Sequence, residues 1–267
     1  MTKVRALVGK ELTDLRRNPA VFLPAALTGF LSILLPLIVA IAVPYFTGEQ
    51  LSDSSDFQIA VELYRHQPIA RGLEAEGAIQ AWIFQQFLVL LMLTPVAGSM
   101  SVAAYSVIGE KQARTLEPLL ATPITTLELL SAKVLGALIP AVVLMTVCYV
   151  TYLMSVAALA ERDVFWILLT PHAIAVVFLL GPLAALVGLQ LAVCVSSRVN
   201  DPRSAQQIGA FIILPICGLL LAQLMGDVQL TPRLMAIIGL VLVIINLALM
   251  RVAIVLFRRE SILTRWK

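Results

Sequence analysis

Charge is scarce in this chain: Asp, Glu, Lys and Arg make up 13% of its 267 residues, against roughly 25% in soluble domains. With 60% apolar residues and a mean hydropathy of +0.95, too little polar surface remains to cover a water-soluble core of this size. Histidine is scarcer still. His66 and His172 cannot assemble a Ser–His pair convincingly, and the apolar runs hold no paired carboxylates, which argues against an intramembrane protease or transferase. The three cysteines, Cys148, Cys194 and Cys217, all lie in apolar stretches, where they read as small packing residues rather than a disulfide framework or metal site. A phosphate-cradling G-x-x-x-x-G-K-[ST] loop is missing, since Gly9 and Lys10 are followed by Glu11 and have no upstream glycine. The chain therefore lacks an ATPase motif of its own and is not expected to be an enzyme, and no metal or cofactor is expected in it.

What the chain has is long apolar runs. Windows 20–47, 78–109, 134–160, 164–197, 204–226 and 234–250 contain no Asp, Glu, Lys or Arg. Each is near or above the about 17 residues that can cross hydrocarbon. Runs of this length fit helices, which satisfy their own backbone hydrogen bonds in lipid, rather than barrel strands of about 10 alternating residues. The longer windows must include interfacial turns. The expected fold is all-α and integral to the membrane, with six transmembrane helices over residues 20–257, a segment 1–19 before them and a basic tail 258–267.

Lysine and arginine set the orientation. Placing the N-terminus in the cytoplasm puts fifteen of the nineteen inside, leaving Arg65, Arg71, Arg162 and Arg233 outside. The expectation is a multi-pass protein of the cell (inner) membrane with both termini cytoplasmic. The net charge of +3 then reflects topology and gives no support to a nucleic-acid partner. The first run reads as a retained helix rather than a signal core, because Glu11 and Asp14 precede it and it exceeds the 7 to 15 residues of such a core.

In "VRALVGKELTDLRRNP", Val4, Leu7, Val8, Leu12 and Leu15 fall at helical spacing, with Arg5, Lys10, Glu11, Asp14 and Arg16 mainly elsewhere on the wheel. This predicts an amphipathic interfacial helix lying along membrane lipid, turned at Asn18–Pro19 into the first span. Residues 48–77 form an acidic external loop. Ionisable groups that would mark a secondary transporter are missing from the spans apart from His172, which reads more simply as an interfacial hydrogen-bonding residue than as a proton relay. Gln80, Gln85, Gln86, Gln190, Gln223 and Asn246 either line a substrate path or bond neighbouring helices, and helix bonding is the commoner use.

One charged stretch interrupts the apolar pattern: "GEKQARTLEPLLATPITTLE", residues 109–128. Thr115 suits the cap of a short helix with Glu117 and Pro118 in its first turn, and Thr122–Pro123 ends it. Thr125 and Glu128 have the spacing of a capping box ahead of "LLSAKVLGALIPAVVLM". A short two-faced helix is expected across residues 109–125, with Leu116, Leu119 and Leu120 available for packing. Glu110, Lys111, Arg114 and Glu117 are available for a partner. A well-capped cytoplasmic hairpin would carry the same capping residues.

The run Glu110–Lys111, Thr115-Leu116-Glu117, Leu119–Leu120 and Thr122–Pro123, followed by Glu128 and Lys133, resembles the signature of the type-2 ABC-transporter permeases. The amphipathic N-terminal helix, the six spans and the tail "FRRESILTRWK" are similar to those of sodium- and drug-efflux permeases of that group. The resemblance implies that residues 109–125 act as a coupling helix between spans 2 and 3, docking into a separate cytoplasmic ABC ATPase that binds ATP and Mg. It implies contacts through Glu110, Lys111, Arg114, Thr115, Leu116, Glu117, Leu119, Leu120 and Pro123, with Thr125 and Glu128 as the cap. Lys10, Glu11, Asp14 and Arg17 are expected as secondary contacts. It also implies a second permease subunit, identical or homologous, and export by alternating access. A membrane scaffold or assembly factor that recruits cytoplasmic partners without moving solute is the alternative from another class.

Overall fold

Six helices long and apolar enough to cross a bilayer dominate a computed structural model that describes residues 2–53, 57, 74–113, 125–161, 163–196, 199, 201–226 and 228–256. They are span 1 (Pro19–Thr47), span 2 (Ala75–Gln112), span 3 (Leu127–Leu159), span 4 (Pro171–Ser196), span 5 (Pro202–Leu224) and span 6 (Pro232–Leu256). A separate N-terminal helix, Thr2–Arg17, precedes them, and there is no strand among the described residues.

Span 2 is the hub. Of its most apolar window 89% is buried, against 22% for spans 1, 5 and 6, so the other helices wrap around it. Ile79, Ile83, Phe84, Leu88 and Leu91 are fully enclosed, and Tyr152 of span 3 sets its ring edge-on to Phe84 while its hydroxyl donates to the Phe84 carbonyl at 2.8 Å. The outer helices keep large apolar side chains such as Phe46, Phe211, Leu214 and Leu240 exposed. On a soluble protein such surface marks an interface, and on a helix of this length and hydropathy it is the face for lipid or another subunit.

Four spans are interrupted, each two or three residues ahead of a proline. A π-helical turn over Ile38–Ala42 precedes Pro44, another over Val176–Leu180 precedes Pro182, a 3-10 turn over Ala210–Ile212 precedes Pro215, and the turn at Met92 precedes Pro95. Proline lacks the N–H that would bond the carbonyl four residues back, and the helix absorbs the defect by locally changing its pitch. Freed backbone in lipid needs other donors. Next to the Met92 turn, the Ser32 hydroxyl of span 1 donates to the Leu90 carbonyl at 2.9 Å. Span 1 ends where Gly48, at φ 72, adopts the left-handed cap that a side chain would strain, and its N–H bonds the Pro44 carbonyl.

The helix ends differ from the charge-free windows. Window 164–197 divides into a short helix, Val164–Leu168, and span 4, because Pro171 opens a new helix capped by Thr170, whose hydroxyl accepts from the Ala173 N–H at 3.3 Å. Span 2 continues past Gly109 to Gln112, so Glu110 and Lys111 belong to its last turn rather than to a crosswise helix. Spans 2 and 3 are 38 and 33 residues long. Buried polar side chains join spans 4 and 6: Gln190 donates to Asn246 at 3.1 Å, and Asn246 donates to the Leu183 carbonyl at 3.0 Å, while half-buried Gln80 of span 2 accepts from the Glu161 N–H in the link after span 3. For Gln190 and Asn246, helix bonding is the use observed.

Candidate functional site: an ion cluster flanking residues 114–124

At one end of the bundle, four charged side chains from three helices meet. On span 2, Ser106 and Glu110 are four residues apart and share a face. On span 3, Lys133 and Gly136 do the same at a spacing of three. The N-terminal helix lies against span 3 and delivers Lys10 and Glu11. Its close approach depends on Gly136, where an added Cβ would stand 2.8 Å from Glu11 Cβ.

Lys133 is the centre, with its side chain 1% exposed. Its Nζ donates to Glu11 Oε1 at 3.1 Å and to Ser106 Oγ at 2.7 Å, and it pairs with Glu110 Oε2 at 2.7 Å. The Ser106 hydroxyl in turn donates a hydrogen bond to Glu11 Oε2 at 2.7 Å, closing a ring. Lys10, 43% exposed, donates to Glu110 Oε1 from the outer side. Two cations face two carboxylates, so the cluster is neutral as a whole. Buried charges persist only when paired and hydrogen-bonded in this way. A cleft of about 410 Å³ runs beside it between the N-terminal helix and span 2, with Asp14, Tyr105 and Gly109 on its walls.

The neighbouring termini are also fixed. Thr125 and Glu128 form a reciprocal capping box: the Glu128 N–H bonds Thr125 Oγ1 at 3.2 Å, and the Thr125 N–H bonds Glu128 Oε2 at 2.8 Å. Lys111 donates to the Val199 carbonyl in the link between spans 4 and 5. Asp201 caps span 5, accepting from the Ser204 N–H at 3.1 Å.

The residues singled out by sequence thus separate into four sets. Lys10, Glu11 and Glu110 come together with Lys133, and burial leaves Glu11 and Glu110 turned into the cluster rather than presented at the surface. Asp14 and Arg17 are exposed, and Lys111, Thr125 and Glu128 secure the helix ends. Arg114, Thr115, Leu116, Glu117, Leu119, Leu120 and Pro123 lie outside the described residues. Neither Ser106 nor Gly136 stands out in the sequence as a site residue. The four-residue step from Ser106 to Glu110 is the only local signal that marks either. No group of three or more His, Cys, Asp or Glu placed to hold a metal occurs among the described residues.

Burial by itself lowers the proton affinity of Lys10, but the hydrogen bond to Glu110 and the charges of Glu110, Glu11 and Asp14 outweigh it, and the net shift is upward. A cation held more tightly when folded stabilises the fold fully below its ordinary value, and that contribution is lost as pH climbs through the raised one. Lys10→Met is therefore expected to lower the unfolding midpoint by a constant amount at neutral pH, with the gap to the parent closing only above about pH 10. Denaturant titration of the detergent-solubilised protein across that range measures it. A gap that closes between about pH 5 and 7 would assign the effect to another group.

The comparison with curated proteins gives no significant match. A family model described as ABC-2 family transporter protein matches residues 5–236, which take in the whole ion cluster, spans 1 to 5 and the start of span 6. With six apolar spans and a family model covering most of its length, the chain belongs to the ABC-2 family of transporter proteins and is a membrane-embedded permease subunit of an ABC transporter.

Proposed function

We propose that this permease subunit pairs with a second permease subunit and with two separate cytoplasmic ATPase subunits, and exports substrate by alternating access. One observation carries the coupling role: the cluster of Lys10, Glu11, Glu110 and Lys133 ties together the helix entering residues 114–124, the helix leaving them and the N-terminal helix. A segment clamped on both flanks cannot be displaced without moving both spans. Residues 114–124 are then the docking element, with Arg114, Thr115, Glu117 and Pro123 meeting the ATPase and Leu116, Leu119 and Leu120 packing. Glu110 acts through its position. Hydrolysis chemistry, with ATP and Mg, belongs to the partner. The exposed apolar faces of spans 1, 5 and 6 supply surface for the second subunit and for lipid. The fifteen-to-four distribution of basic residues supports cytoplasmic termini, and the inner membrane is the proposed location.

Reversing charge at the docking element tests this reading. Glu117→Lys is expected to abolish stimulation of the partner's ATPase activity while the protein still inserts. Undiminished stimulation in a reconstituted system would sink the coupling assignment. Vesicle flux separates export from recruitment, because a scaffold would bind the ATPase and move no solute.

A further inference from the structure

At the end of the bundle opposite the ion cluster, a cavity of about 260 Å³ opens between spans 2, 4 and 5 and the link into span 6. Its polar wall is made of Gln85 and Gln86 from span 2, His172 from span 4, Gln223 from span 5 and Gln229 from the link, with Trp82 beside them. Thr170 and Thr231 also line it, but their hydroxyls are engaged in capping spans 4 and 6. Among the described residues no carboxylate, ammonium or guanidinium group lines the cavity. Gln229 is exposed and marks the mouth. Gln223 is 3% exposed, and its Oε1 has no hydrogen-bond partner.

That orphan is the informative feature. A buried amide oxygen left unpaired costs about 1–3 kcal/mol, and buried polar groups in folded proteins are nearly always satisfied. The cavity reaches the same side chain, and rotation of a carboxamide exchanges its donor and acceptor ends. Carboxamides and an imidazole offer donors and acceptors without net charge. An anion would find no cation there and a cation no carboxylate, so either would lose its hydration uncompensated. The volume falls just below the about 300–1,000 Å³ typical of drug-sized pockets.

We propose that this cavity is a binding site for a small uncharged molecule bearing carboxamide or hydroxyl groups, anchored by Gln223 and bounded by Gln86, His172 and Trp82. The site stands on its own lining and is independent of how the chain couples to an ATPase.

Trp82 supplies the reporter. Replacing Trp166 and Trp266 with Phe leaves it as the sole tryptophan of the three in the full chain, which is then placed in lipid nanodiscs. Three probes of matched length are titrated: malonamide, malonate and 1,3-diaminopropane, respectively neutral, anionic and cationic. Malonamide is expected to give a saturable change in Trp82 fluorescence, with the two charged probes at least about tenfold weaker. Gln223→Leu should weaken malonamide about tenfold or more, as expected when a hydrogen-bonding anchor is removed. Gln223→Glu keeps the shape and should shift preference towards 1,3-diaminopropane, which loss of folding alone would not do. The proposal is overturned if malonamide gives no saturable change, if a charged probe binds the parent as well as malonamide does, or if Gln223→Glu leaves the order of the probes unchanged.

Discussion

Replacing Lys133 with Met is expected to destabilise the protein by about 3–5 kcal/mol, the range for breaking a buried ion pair from one side. Lys133 faces both Glu11 and Glu110, and its side chain is almost wholly enclosed. Without it, Glu110 keeps Lys10 at its outer oxygen, but the side-chain hydrogen bond left to Glu11 is the one from the Ser106 hydroxyl. A carboxylate held by one neutral donor in a buried place is the costly outcome, far more so than the loss of an exposed pair, which is worth about 0–1 kcal/mol. The double variant Lys133→Met with Glu11→Gln removes one charge of each sign and should recover much of the loss, since a missing pair is tolerated better than a broken one. Unfolding in mixed detergent, read as the midpoint for the parent, both single variants and the double variant, gives the coupling energy directly. Independent, additive effects would show that the cluster is a surface coincidence. The same variants should lose coupling to the ATPase before they lose insertion, because insertion depends on the apolar spans.

Gly136→Leu should release the N-terminal helix. A Cβ alone would sit 2.8 Å from Glu11 Cβ, a backbone-proximal atom that cannot swing aside, and a leucine adds three further carbons. Overpacking of this kind costs about 1–3 kcal/mol, which shifts a local opening equilibrium on the order of ten- to a hundredfold. Leu15, packed against the core from the same helix, can report the opening once changed to Cys in a background lacking Cys148, Cys194 and Cys217. Its labelling by a water-soluble maleimide should accelerate by that factor in Gly136→Leu, with Gly136→Ala intermediate. Equal labelling rates in all three would mean that the helix is held by contacts other than the one at Gly136.

Whatever depended on nearest neighbours along the chain was legible beforehand. Helical periodicity gave the N-terminal helix, freedom from charge gave the six spans, and the Thr125–Glu128 spacing gave a capping box that is present atom for atom. The helix ends were less legible. Charge-free windows stop at the first ionisable residue, yet span 2 runs on through Glu110 because Lys10 and Lys133 neutralise it there. Window 164–197 ran together because its break is made by Thr170 and Pro171, which carry no charge. The cluster itself could not be read from the sequence. Its pairs between helices are 23 (Glu110 to Lys133) to 122 (Glu11 to Lys133) residues apart, and no periodicity links positions so distant. Gln190 and Asn246 are similar: each looked like either a path-lining or a bonding residue until their mutual hydrogen bond, 56 residues apart in sequence, decided the matter.

The great length of spans 2 and 3 has a mechanical consequence. At about 1.5 Å per residue, both exceed the roughly 30 Å of hydrocarbon by a wide margin, which is length enough for their charged ends to stand clear of the lipid tails. From the proline-induced swivel at Met92 to Glu110 is about 27 Å of helix, and swinging that arm by only ~10° would carry its tip about 5 Å. The Glu110–Lys133 pair spans 2.7 Å and would part under such a swing unless the neighbouring helix end followed. The two arms are therefore yoked, and a push delivered to the chain between them must tilt both together.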